Sequence, residues 1–526
     1  MKTVLKPLGL AAAVAAVTAG YAGVTQAQIA NNGLGDAAII PYYTVAEDFV
    51  TGVHIINTSD LTQVVKLRMR RGSDSMDALD FNIILSPYDE WTGFINGEEG
   101  SVAMNTDDTS CTAPLRADGV FAMPSGYAEG ASEGYIEIIG MGSAPVTSPI
   151  GIASKHTAEG VPFDCASAES NFFRNAVTVG SGDPTKKGVL SNALTHQTCT
   201  DAIATILAGG VPTTCLTGPG PVLPTTYGPT DDVLKVSYFH RDAESGLEFG
   251  NGAVMLAGFG TVPMMTNQEV IVVGQEDDYG YLFPDLDGGS PGDAPRGRYN
   301  DFVRPALGAS AIVNDWSVAS ARNVSTDWVV TLPGQYIMLD LLRYTVSLVP
   351  GSTVTCLPSI LANAAVPAEP ICDARDLPVT LGIDVWDREE QTFANPEGGL
   401  VISPSTTVTS TDTLVNEVNV IQWNDGINPP VLPSQYAKSY DVSALGSEAG
   451  WASLSVSSSV AKAPQGVFNF ASPQPTPVAP ATYFTPVDTA NGVPIVGYVA
   501  WERSFPSDPS ANYGRIVEHS YASSGD

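Results

Sequence analysis

The sequence predicts an all-β protein, mainly strands with a few short helices, arranged as two antiparallel β-sandwich-like (Ig-like) domains. Three observations carry that prediction. Short runs place apolar residues at every second position, as over 65–70 and 379–385, which is the period of a half-buried strand. Turn formers interrupt these runs often, with 51 Gly and 39 Pro in 526 residues. Charged residues make up only 15% of the chain, leaving too little Glu and Lys for long amphipathic helices.

Residues 1–27 read as a Sec signal peptide. Lys2 and Lys6 give a positive start, 8–17 is an apolar stretch, and Thr25-Gln26-Ala27 is a small-x-small cleavage site. That stretch is shorter than the roughly 20 residues a membrane span needs. The mature chain is therefore expected to begin near Gln28, with no membrane insertion after cleavage. Its place is extracellular or on the cell surface, with the periplasm as the alternative. The length exceeds what one hydrophobic core usually organises, so the mature chain divides into domains at 28–275 and 276–526.

The first domain opens with Ile39-Ile40-Pro41-Tyr42-Tyr43-Thr44-Val45, a strand whose early proline suits a sheet edge. A strand at 53–56 follows. Over 65–70 the alternation turns Lys66, Arg68 and Arg70 outward. Strands at 81–85 and 135–139 come next. From about 141 to 230 the rhythm breaks into Gly, Pro, Ser and Thr, with one helix expected at 201–207. A structureless loop of that length is unusual in a compact domain, so it reads as an insertion tied by disulfides. Strand periodicity resumes at 233–239.

The second domain carries strands at 328–331, 336–339, 379–385, 418–420, 451–456, 467–470 and 495–501, with a Pro-rich connector at 471–486. No fixed repeat is visible, which argues against a solenoid or propeller.

The six cysteines are Cys111, Cys165, Cys199, Cys215, Cys356 and Cys372. An even count in an exported chain implies disulfides, and none forms the C-x-x-C of a zinc ribbon or redox site. Short loops favour Cys199–Cys215 and Cys356–Cys372, which leaves Cys111–Cys165. The formal net charge is −32, and about −34 once the signal lysines are gone. Such a field repels nucleic acid and anionic membranes.

Several motifs hold residue types that catalysis or ligand binding uses. Gly130-Ala131-Ser132-Glu133-Gly134 has the letters of a nucleophile elbow, but a strand follows it where a helix is required. His54, His156, His196, His240 and His519 form no metal-like pair. Asp384, Asp387, Glu389 and Glu390 cluster beside Trp386, the residue types of a sugar cleft. In Pro284-Asp285-Leu286-Asp287-Gly288-Gly289-Ser290-Pro291-Gly292-Asp293, the oxygens of Asp285, Asp287, Ser290 and Asp293 suit a hard cation, and Ca²⁺ is the one cofactor this suggests. Of Trp91, Trp316, Trp328, Trp386, Trp423, Trp451 and Trp501, most are expected in cores or at strand edges.

Ile40-Pro41-Tyr42-Tyr43-Thr44-Val45, Asn57-Thr58-Ser59, Leu79-Asp80-Phe81-Asn82, the run from Leu85 to Trp91, Pro284-Asp285-Leu286-Asp287-Gly288-Gly289, Thr326-Asp327-Trp328-Val329-Val330-Thr331 and Trp386-Asp387-Arg388-Glu389-Glu390 resemble a family of exported proteobacterial proteins. Members are usually labelled hypothetical or cell-surface proteins. The resemblance runs from about residue 35 to the C-terminus. It implies export and a shared β architecture, and it carries over no catalytic residue.

The expectation is an exported, non-enzymatic structural or adhesive protein of the cell surface or extracellular matrix, with surface glycans or envelope proteins as partners. One alternative is a carbohydrate-binding or glycan-active protein that uses the tryptophans and strand-end carboxylates. The other is a periplasmic accessory protein that binds a small ligand.

Overall fold

The computed structural model describes residues 28–123, 127–170, 172, 227–265, 283–289, 298–334, 337, 356–357, 371–372, 379–392, 410–458, 468–469, 476–477 and 493–522. The fold is all-β and sandwich-like, with a few short helices. No helix among the described residues is long and apolar enough to cross a membrane.

The first half supplies thirteen strands: β1 (Gln28–Ile29), β2 (Ala37–Thr44), β3 (Phe49–Asn57), β4 (Leu61–Arg71), β5 (Asp77–Leu85), β6 (Glu90–Asn96), β7 (Ala103–Asn105), β8 (Cys111–Ala113), β9 (Val120–Ala122), β10 (Glu133–Pro145), β11 (Leu234–Asp242), β12 (Glu248–Gly252) and β13 (Val254–Ala257). They make a seven-stranded sheet, β1-β13-β2-β10-β4-β5-β8, and a six-stranded sheet, β12-β11-β3-β6-β7-β9. Alternation explains the packing. Val65, Leu67 and Met69 of β4 meet Val53, Ile55 and Trp91 of the other sheet in one buried core. Phe81 stacks on Phe121 there at 4.1 Å between ring centroids. Together the two sheets hold thirteen strands, more than the roughly nine of the largest immunoglobulin plan.

Two short helices, α1 (Pro149–Ser154) and α2 (Cys165–Ser170), cover one end of the seven-stranded sheet over Val64, Ile84 and Met141. Helix α1 starts where its chemistry dictates, with Ser148 Oγ accepting from the Gly151 N–H at 3.2 Å and Pro149 in the first turn.

The second half supplies β14 (Gly308–Ala309), β15 (Ala311–Ser317), β16 (Val324–Thr331), β17 (Cys356–Leu357), β18 (Ile371–Cys372), β19 (Val379–Asp387), β20 (Ser410–Leu414), β21 (Val418–Asn424), β22 (Ala437–Asp441), β23 (Ala449–Ser458), β24 (Phe468–Asn469), β25 (Thr476–Pro477), β26 (Val493–Pro494), β27 (Val496–Arg503), β28 (Tyr513–Glu518) and β29 (Ser520–Ala522). The sheets β20-β19-β23-β15-β29 and β22-β21-β16-β27-β28 enclose a second core. Trp316, Leu381 and Leu454 line one side of that core, and Trp328, Val330 and Trp423 line the other.

The four large sheets use strands from one half each, but the packing does not stop at their border. Val329, Val420 and Tyr498 of the second half belong to the same buried cluster as the first half's core. Hydrogen bonds cross the border as well. Thr331 Oγ1 donates to Pro41 O at 2.6 Å, and the Val418 N–H donates to Gly72 O at 2.8 Å.

Four expectations need correction. Lys66, Arg68 and Arg70 do not face water: they are buried, with the segment at Pro284 lying over Arg68 and with Asp80, Asp77 and Glu137 as their partners. Pro41 lies in an interior strand, between β13 and β10. It is tolerated because β13 pairs only with residues 37–39 and the β10 register shifts there. β10 runs on to Pro145, past the expected start of the insertion at 141. β22 pairs with β21 in parallel, so the second half is not purely antiparallel. The expected helix at 201–207 and most of 336–339 and 471–486 lie outside the described residues.

Candidate functional site

Cys111 and Cys165 are joined by a disulfide, 54 residues apart in sequence, which staples α2 to β8. Cys356 and Cys372 are register partners in the β17–β18 pair; their side chains, with Cys199 and Cys215, lie outside the described residues.

In the loop expected to take Ca²⁺, Ser290 and Asp293 are outside the described residues. Asp285 and Asp287 are buried. Asp285 Oδ1 accepts from the Asp287 N–H at 2.9 Å, and Asp287 Oδ1 accepts from the Tyr299 N–H at 3.1 Å. Asp285 lies near enough to Glu137 to act on its titration. Among the described residues no group of three His, Cys, Asp or Glu is placed to hold a metal ion.

The Ser132 hydroxyl accepts from Gln435 Nε2 at 3.2 Å, and β10 begins one residue later, so no nucleophile elbow forms. His240 is buried between Thr51 Oγ1 and the Tyr498 hydroxyl, 3.1 and 2.8 Å away, and burial pulls its pKa down to about 3. His519 sits beside Val329 O at 3.0 Å; burial lowers it to about 4. His54 pairs with Glu90, and His156 lies near Ser86, Thr109 and Asp89. His196 is outside the described residues.

The basic face of β4 forms a buried ion network. Lys66 Nζ lies 2.6 Å from Asp80, and burial pulls its pKa down to about 8 with Asp80 opposing. Arg68 grips both oxygens of Asp77 at 2.6 Å and donates to Pro284 O at 2.9 Å. Arg70 bridges Asp77 and Glu137 at 2.8 and 3.0 Å, and Arg71 pairs with Asp74. Burial raises the Glu137 carboxyl while Arg70 opposes it. With every ion countered at short range, the network fits a seam between chain segments rather than an open reactive site.

The exposed chemistry lies on the outer face of the sheet that contains β19, β23 and β15. Trp386 and Trp451 are register partners on β19 and β23, and their rings stack at 4.0 Å with 14° between planes. Neighbouring strands lie about 4.8 Å apart, so the indoles stand side by side across the strands. One face of Trp451 rests on Trp386. The other turns toward β15, where Asp315 is its register partner. Trp451 is 40% exposed, and Asp315 is exposed beside it.

Buried indoles fix the backbone beneath this face. Trp316 Nε1 donates to Trp386 O at 3.2 Å, and Trp328 Nε1 donates to Asp315 O at 2.9 Å. Gly450 permits the close approach of β23 to β19, since a Cβ there would meet Trp386 O at 1.9 Å. Asp384 lies opposite Ser453; its Oδ1 has no hydrogen-bond partner, and burial raises its pKa. Asp387 is not part of this face in function: its Oδ1 accepts from the Glu389 and Gln391 N–H groups at 2.9 and 2.7 Å, closing the turn after β19.

Of the seven tryptophans, Trp91, Trp316, Trp328 and Trp423 are core. Sequence reasoning named Trp386 and Asp384 but not Asp315 or the pairing with Trp451. The run 451–456 held a usable signal, since Ala452, Leu454 and Val456 alternate inward and leave Trp451 on the polar side. No family model and no curated protein matches this sequence.

Proposed function

We propose that the chain is exported and acts outside the cytoplasm as a non-enzymatic structural or adhesive protein of the cell surface or extracellular matrix. The observation that carries this reading is the stacked Trp386–Trp451 pair, offered to solvent on a sheet whose backbone is held by buried indoles. Large aromatic surface on a rigid support is what a contact residue needs, because little conformational freedom is lost on binding. The signal-like residues 1–27, the Cys111–Cys165 disulfide and the acidic charge support work in an oxidising, aqueous setting.

Adherence of a deletion strain tests the reading. Cells lacking the chain should adhere to surfaces or to one another less than cells complemented with it. Equal adherence of the two strains would refute the proposal.

A further inference from the structure

We infer that the outer face of Trp451, above Asp315, is a docking site for a neutral polysaccharide; this rests on the adhesive reading above. A pyranose ring has a C–H face that stacks on an indole and a rim of hydroxyls that seek acceptors. Trp451 supplies the indole plane, since its other face is already taken by Trp386 at 4.0 Å. Asp315, in register next to Trp451, supplies an exposed carboxylate able only to accept. On the opposite side of β23, the unpartnered oxygen of Asp384 is buried and takes no part in the site.

The charge selects among occupants. Against a net charge of −32, with the Asp315 carboxylate beside the indoles, a uronic-acid or sulfated polymer is repelled, as is an anionic membrane. A second copy of the chain carries the same charge and meets the same repulsion. A neutral glycan brings hydroxyl donors and no opposing field. The site is also built rather than merely exposed: Trp316 and Trp328 hold the carbonyls of Trp386 and Asp315, so the indole and the carboxylate keep their spacing before any ligand arrives.

Affinity electrophoresis of the purified mature protein tests this, in native gels containing galactomannan, mixed-linkage β-glucan or xyloglucan as neutral probes and alginate as the anionic one. At least one neutral polymer should retard the protein, and alginate should not. Trp451→Ala should weaken the retardation tenfold or more, Trp451→Phe should restore much of it, and Asp315→Asn should weaken it by severalfold. Circular dichroism of each variant checks that the sheet is intact. Absence of retardation by every neutral polymer, or full retardation of Trp451→Ala, overturns the assignment. So does sedimentation showing a dimer that Trp451→Ala dissociates, because the face would then be a self-association surface. If the glycan assignment fails while the deletion strain still adheres poorly, the adhesive reading stands with another ligand; normal adherence removes both.

Discussion

Replacing Asp77 by Ala probes the seam through which the first half is covered. Asp77 accepts from Arg68 Nη2 with both oxygens at 2.6 Å and from Arg68 Nε at 3.2 Å, and it pairs with Arg70 at 2.8 Å. The side chains of Arg68 and Arg70 are only 1% and 4% exposed, so neither guanidinium can turn to water when its anion is removed. Breaking a buried ion pair from one side costs about 3–5 kcal/mol, chiefly through the charge left behind. With a urea dependence on the order of 3 kcal/mol per molar, the unfolding midpoint should fall by about 1–1.7 M. Tryptophan fluorescence reports it, because Trp91 lies in the adjacent core. Pairing Asp77→Leu with Arg68→Met should recover most of the loss, since apolar replacements of matched pairs are often neutral. A shift below about 0.3 M for Asp77→Ala would mean that the pair behaves like a solvent-exposed one, and the buried seam would be wrong.

Other outcomes follow from the same interior. Burial pushes the Asp327 carboxyl up to about 8, against its bond from the Leu432 N–H at 2.8 Å. The folded state therefore keeps a proton that the unfolded chain releases, so this group's contribution is full below about pH 4 and is lost as pH rises toward 8. Asp327→Asn should flatten the fall of stability between pH 5 and 7 by up to about 1.4 kcal/mol per pH unit in urea titrations, and an unchanged slope would contradict the assignment. Tyr498→Phe removes the hydroxyl 2.8 Å from His240 Nε2 across the two halves and should cost about 1–3 kcal/mol of unfolding free energy, read from urea titrations. Reducing Cys111–Cys165, or replacing both by Ser, reopens a 54-residue loop and should destabilise by about 4 kcal/mol, with earlier proteolysis near α1 and α2. Melting with and without EGTA tests the calcium expectation for Asp285–Asp293: a melting temperature lowered by the chelator supports it, and an unchanged one removes it.

Strand identity was legible where one face of a strand is apolar. Val65, Leu67 and Met69, or Leu381, Ile383 and Val385, declare their period without help from the rest of the chain. What covers the polar face is a tertiary fact, and there the sequence misled. Lys66, Arg68 and Arg70 alternate like a solvated edge, yet Asp77, Asp80 and Glu137 neutralise them inside. Pro41 misled for a related reason, since local chemistry shows a missing donor but not the register shift that makes the omission harmless. At the candidate site, Trp386 and Asp384 could be read as a cluster on one strand. Their neighbours Trp451 and Asp315 come from strands 65 or more residues away in sequence, and only register brings them together.

Protease shaving of intact producing cells tests the account's central claim most directly. The chain should be cut from the cell surface, or be recovered in the medium, while a periplasmic marker stays whole. Protection of the chain alongside that marker until the outer membrane is opened would place it in the periplasm and contradict a role in contact with the outside.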